Sequence, residues 1–185
     1  MKKIVVLSGV ALAVLMGVSV LKAQNSFVLF NKEPRIIYFN PDIYPNIEEI
    51  KQSTNEAFFD VISTQNSKIK KSTMLRAETF LPYDSIDAQT ISEYCKNNNA
   101  DFAVVPKVKY FKVGLGKYIF SNQVIVSMKF FDAQGNFITE TDYDTYKKNM
   151  RMLGSTVNSI RKGTEGAFKE LTKNLRKLKP QSFKE

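Results

Sequence analysis

The chain has 185 residues, 43% of them hydrophobic, with one cysteine, no histidine, no tryptophan and a formal net charge of +9. That length suits one domain with its own core, and the composition excludes disordered and collagen-like chains. The absence of histidine rules out Ser-His-Asp and Cys-His catalysis, and a lone cysteine rules out Cys-rich zinc sites, CxxC redox chemistry and an intramolecular disulfide.

At the amino terminus Lys2 and Lys3 precede an apolar run from Ile4 to Leu21, after which Lys22-Ala23-Gln24-Asn25 turns polar. The pattern predicts a signal peptide over residues 1–23, cut after Ala23, with Leu21 large for the −3 position. The alternative is a retained anchor, because the run approaches the length that crosses a bilayer. Cys95 is the only cysteine and lies far from the cleavage point, which excludes lipidation there. Under either reading, residues from 24 onward are expected outside the cytoplasm.

Residues 24–34 read as an N-terminal arm or an edge strand, with Phe27 to Phe30 as the strand candidate. A single α/β domain is expected over 35–179. It opens with a buried strand at Arg35 to Phe39 and a turn at Asn40-Pro41-Asp42 and Tyr44-Pro45. Asn46 then opens a helix with Glu49 in capping-box spacing. Its stripe is Ile47, Ile50, Thr54, Ala57, Phe58, Val61 and Ile62. A modest strand is expected around Thr73 to Arg76. A second helix starts near Ser85 or Asp87, buries Ala88, Ile91, Tyr94 and Cys95, and stops at Asn97-Asn98-Asn99.

The middle of the chain predicts an antiparallel meander. One strand spans Ala100 to Val113, and Gly114 to Gly116 with Ser121-Asn122-Gln123 interrupts it. The next runs from Gln123 to Phe131. Asp132 to Gly135 makes a hairpin turn with glycine where positive φ is needed. The last strand, Asn136 to Tyr143, places Phe137, Thr139, Thr141 and Tyr143 on one face. A final helix over Ser155 to Leu178 has the seam Val157, Ile160, Thr164, Ala167, Phe168, Leu171, Leu175 and Leu178. Pro180 ends it, and 180–185 is a polar tail. The fold class is therefore α/β (α+β), a mixed sheet with a three-strand meander, packed helices and a long basic C-terminal helix.

Charge is uneven along this order. Removing residues 1–23 leaves 24 basic against 18 acidic residues, and Tyr146 to Glu185 alone holds 11 against 3. Arg161, Lys162, Lys169, Lys173, Arg176 and Lys177 fall mostly off the apolar seam. They form a candidate patch for an anionic partner: an acidic protein face, phospholipid headgroups or an acidic glycan. The alternative is an ordinary solvated helix face whose last turns complement the helix dipole. Nucleic acid ranks lowest, because an exported chain rarely meets it.

Catalytic, cofactor and metal assignments are all none. Gly114-Leu115-Gly116-Lys117 lacks the spacing of a phosphate loop and reads as a turn. Asp132, Glu140, Asp142 and Asp144 cluster in sequence but alternate like a solvated strand face. Cys95 reads as a small buried hydrophobe. Only Lys107, Lys109, Tyr110, Phe111 and Lys112 interleave base and aromatic in the manner of a stacking platform, and weakly.

The helix from Ile91, the phrase Asn99-Ala100-Asp101-Phe102, and the strand ending Phe130-Phe131-Asp132 before Gln134-Gly135 resemble a known domain. It is the small envelope α/β domain of the TolB amino-terminal, curli-secretion lipoprotein and penicillin-binding-protein activator type. The resemblance covers about residues 35–178, mostly through element order. It implies a non-catalytic adaptor that docks on other envelope proteins, periplasmic, outer-membrane-associated or secreted. The chain departs from the lipoprotein members in lacking the acylated cysteine.

Overall fold

The computed structural model describes residues 33–69, 72–114, 120–149 and 155–178. The strand expected at Phe27 to Phe30, the segment 1–23 and the tail 180–185 lie outside them. Among the described residues six strands make one sheet: β1 (Arg35–Asn40), β2 (Asp42–Tyr44), β3 (Thr73–Phe80), β4 (Phe102–Gly114), β5 (Phe120–Asp132) and β6 (Phe137–Asp144). The order is β3-β1-β4-β5-β6, with β2 continuing beside β4 where β1 ends. β1 pairs parallel with β3 and β4, and β2 pairs parallel with β4. β4, β5 and β6 form the expected antiparallel meander.

Among the described residues four α-helices connect or cover the strands: α1 (Glu48–Ile69), α2 (Ala88–Asn98), the short α3 (Thr145–Asn149) and α4 (Thr156–Leu178). Alternation along β4 divides its side chains between two cores. Val104 and Val108 face Ala57, Phe58, Phe59 and Ile62 of α1 and Ile160, Ala167, Phe168 and Leu171 of α4. Ala103 and Val105 face Ile91 and Cys95 of α2, together with Tyr83. Burying each large apolar side chain contributes about 1.5–3 kcal/mol, which is why both faces need a helical cover.

Local signals behave as their chemistry requires at several ends. The Asp87 carboxylate accepts from the backbone N–H groups of Gln89 and Thr90, capping α2. Asn99 ends it in the left-handed conformation at φ 50°. Gly135 closes the β5–β6 turn at φ +84°, and a Cβ there would run into the Ala88 carbonyl oxygen.

Other expectations are corrected. Asp42–Tyr44 is a strand rather than part of a turn, held by parallel pairing to Lys107–Lys109. α1 begins at Glu48, two residues after Asn46, with Glu48 and Glu49 in the first turn where the helix dipole favours carboxylates. Ile47 is exposed, whereas Phe59 is buried, its ring 4.1 Å from the Arg76 guanidinium. Val157 is likewise exposed rather than in the α4 seam. Ser121-Asn122-Gln123 does not interrupt the sheet, because these residues pair with Phe111–Val113 within β5. Phe137 leaves the face of Thr141 and Tyr143. The β5–β6 register shifts between Phe130 and Phe131, so Ile138 packs on the α1–α4 core. The Phe137 ring instead meets Phe131 on the other side, at 5.9 Å.

Two glycines that periodicity alone passes over set how α4 lies. A Cβ on Gly163 would come within 2.7 Å of the Val126 side chain, and one on Gly166 would enter the Tyr143 ring. Glycine inside a helix costs about 1 kcal/mol relative to alanine. Here it permits α4 to sit directly on β5 and β6.

Candidate functional site

The amphipathic pattern of α4 turns its cations outward, opposite the residues that contact the sheet. Arg161, Lys162, Lys169, Lys173 and Arg176 are all exposed, while the side chain of Lys177 lies outside the described ones. Positions 162, 169, 173 and 176 follow three-, four- and seven-residue steps, so they line one side of the helix.

The six residues named from sequence do not share one state. The Arg161 guanidinium is 3.1 Å from the Asp60 carboxylate on α1, and Lys169 is 2.8 Å from Glu165. Glu165 also accepts from Gln65 on α1 at 3.4 Å. Its carboxyl is held below the usual range, first by the Lys169 hydrogen bond and then by the charges of Lys169, Lys162 and Lys68. Asp60, Gln65, Lys68, Arg161, Lys162 and Glu165 rim a shallow groove of about 300 Å³ between α1 and α4. Lys162, Lys173 and Arg176 have no ion-pair partner among the described residues. The partners Asp60 and Gln65 were invisible to the sequence reading, since they lie about a hundred residues upstream with no periodic link to α4.

The acidic residues of the last hairpin are not gathered. Asp132 accepts from the backbone N–H groups of Gln134 and Asn136 and so ties the turn. Glu140 accepts from the Tyr83 hydroxyl at 2.6 Å, and Asp142 from the Ser127 hydroxyl. Asp144 caps α3 through the N–H groups of Tyr146 and Lys147. Among the described residues no cluster of three or more potential ligands could hold a metal ion.

The lysine–aromatic run on β4 is also distributed. Lys107 lies 2.5 Å from Asp84 and Lys109 lies 5.9 Å from the Tyr44 ring centroid. Tyr110 shares a hydrogen bond with Thr54 of α1. The side chains of Phe111 and Lys112, and the turn residues Leu115 to Lys117, lie outside the described ones.

On that same sheet face Tyr83 is buried under charge. Its N–H donates to Asp42 at 3.0 Å, its carbonyl accepts from Lys129 at 2.9 Å, and the Lys129 ammonium is 4.3 Å from its ring centroid. Burial first, and the Glu140 carboxylate second, push its phenol well above the usual range. This is a clasp that holds the segment before α2 onto the sheet. Cys95 is fully buried, and its thiol is raised to about 11 by burial and by the charges of Asp132 and Asp101.

No family model and no curated protein matches the chain. Solved structures do. It is similar to the PelC dodecamer from Paraburkholderia phytofirmans at 12% identity, over 74% of this chain and 86% of that one, with a TM-score of 0.47. It is similar to lipoprotein GNA1162 from Neisseria meningitidis at 11% identity, over 76% and 99% of the two chains, with a TM-score of 0.43. For the LpoB C-terminal domain from Escherichia coli the figures are 13% identity, 69% and 92% coverage, and a TM-score of 0.41. At such identities and TM-scores these likenesses assign no role to the chain. Among the described residues no helix is long and apolar enough to cross a membrane.

Proposed function

We propose that the chain is an exported, non-enzymatic accessory protein of a bacterial cell envelope, which docks on another envelope protein through the outward face of α4. The carrying observation is the line of Lys162, Lys173 and Arg176, exposed and without ion-pair partners among the described residues, on a helix whose other side is anchored on the sheet. A rigid row of cations suits an acidic face on a partner, giving orientation and fast encounter more than raw affinity. The sheet edge at β6, over which α4 packs, offers backbone groups beside it. The apolar run at 4–21 supports export.

The test is in-cell crosslinking of the tagged protein from separated envelope fractions. A variant with Arg161, Lys162, Lys169, Lys173, Arg176 and Lys177 changed to glutamine runs beside it, with melting temperature as the folding control. A discrete protein partner that disappears in the folded variant supports docking on α4. Salt-sensitive association with anionic vesicles or acidic glycan, and no protein partner, replaces it with direct surface binding.

A further inference from the structure

Among the described residues the sheet ends in two strands that pair on one side only, β3 and β6. An unpaired strand edge presents a row of N–H and C=O groups that another chain can complete. The eight residues of β3 include neither proline nor lysine, two of the usual devices that blunt such an edge. The Thr73 N–H donates to the Pro34 carbonyl at 2.8 Å and so points inward, toward β1. Alternation along the strand turns the peptide groups of Met74 and Arg76 outward.

The side chains along this edge are complementary to themselves. Arg76 and Glu78 stand two positions apart and share one face of the strand. Both are exposed, and neither has an ion-pair partner among the described residues. The Phe59 ring, 4.1 Å from the Arg76 guanidinium, fixes where that cation stands and leaves its N–H donors for another group. When two copies of β3 meet antiparallel about a two-fold axis at Ala77, Arg76 of each lies opposite Glu78 of the other. Met74 then lies opposite Phe80, an aromatic left 54% exposed in the single chain. Directly opposed residues hold their Cβ atoms about 4.5–5.5 Å apart, within reach of both contacts. β6 has no such match. Glu140 and Asp142 are exposed on one face of it, and self-pairing there sets carboxylate against carboxylate. An arbitrary partner strand does not call for opposite charges at positions 76 and 78, whereas a two-fold contact, in which each residue meets the other's counterpart, does.

We propose that β3 is the edge through which two copies of this chain join, their sheets running on as one across an antiparallel two-fold contact. It lies at the far end of the sheet from β6, over which α4 packs, and does not depend on docking through α4.

The experiment is sedimentation of the purified protein from about 1 μM to about 500 μM, the range in which so small a contact should associate. A reversible monomer–dimer equilibrium is expected, and amide exchange at Arg76 should slow as concentration rises. Arg76→Glu and Glu78→Arg, each alone, set like charges opposite one another and should weaken self-association by about tenfold or more. Mixed together, the two variants should form a heterodimer, because each supplies the charge the other has lost. The double exchange Arg76→Glu/Glu78→Arg should pair with itself again. Circular dichroism checks folding. Glu78→Arg and Phe80→Ala change exposed side chains and carry the test if Arg76→Glu, which gives up Phe59, does not fold. The proposal is overturned by a protein that stays monomeric throughout, which would show that the register slip between Tyr38 and Asn40 twists this edge out of reach. A dimer indifferent to both charge reversals, or folded single variants that do not pair when mixed, overturns it equally.

Discussion

Lys129 on the sheet and Lys173 on α4 carry the same charge in opposite circumstances. The ammonium of Lys129 is spent on the Tyr83 carbonyl and ring, as that of Lys107 is on Asp84. Lys162, Lys173 and Arg176 stand in solvent on a helix fixed from behind by Gly163 and Gly166. The first set holds the fold together, and the second makes no ion pair among the described residues. Counting basic residues does not separate the two. Their immediate neighbours do.

The comparison breaks most visibly at the anchor of α4. Gly166→Ala places a methyl in the Tyr143 ring, and overpacking should outweigh the helix propensity gained, destabilising the protein by about 2 kcal/mol in urea unfolding. Stabilisation would mean that α4 lies further from the sheet. Next, Lys129→Met keeps the aliphatic stem but removes a charge-assisted hydrogen bond and a cation–π contact, at an expected cost of about 1–2 kcal/mol. A neutral result would make Lys129 as free as Lys173.

A smaller effect depends on pH. The Glu165 carboxyl is held below its usual value near 4.5, so its contribution is complete above the unfolded-chain pKa and is lost as pH falls through the lower folded value. Glu165→Gln should therefore melt slightly below wild type at about pH 7 and converge with it on the acid side, by no more than tenths of a kcal/mol for so open a pair. Thermal melts across that range check it. Smallest of all, Lys162→Gln with Lys173→Gln and Arg176→Gln should leave unfolding within about 0.5 kcal/mol of wild type. A larger loss would show these cations at work inside the fold.

Much of this architecture was legible where neighbouring residues carry the signal. Asp132 to Gly135 announces a tight turn, Asn99 a helix stop, and Ile160 to Leu171 a buried seam, each through chemistry within a few positions. β2 was not, because three residues with one buried apolar side chain, Ile43, become a strand only by pairing with residues some sixty-five positions away. The bulge that turns Phe137 away from Tyr143 breaks the alternation from which its face was read. Gly163 and Gly166 look like weak points of a helix until Val126 and Tyr143 are seen against them. The cations of α4 could be found by periodicity, but the pairing of Arg161 with Asp60 could not.

The most direct test sets the two groups of lysines against each other in the cell. Crosslinking of the proposed envelope partner is compared between Lys162→Gln/Lys173→Gln/Arg176→Gln and Lys107→Gln/Lys129→Gln, each checked for folding, with salt varied because exposed charges are screened over about 10 Å at 0.1 M. Loss of the partner in the α4 variant alone, with wild-type binding weakening as salt rises, is the predicted result. Retention in the α4 variant, or loss only in the sheet variant, would contradict docking through α4.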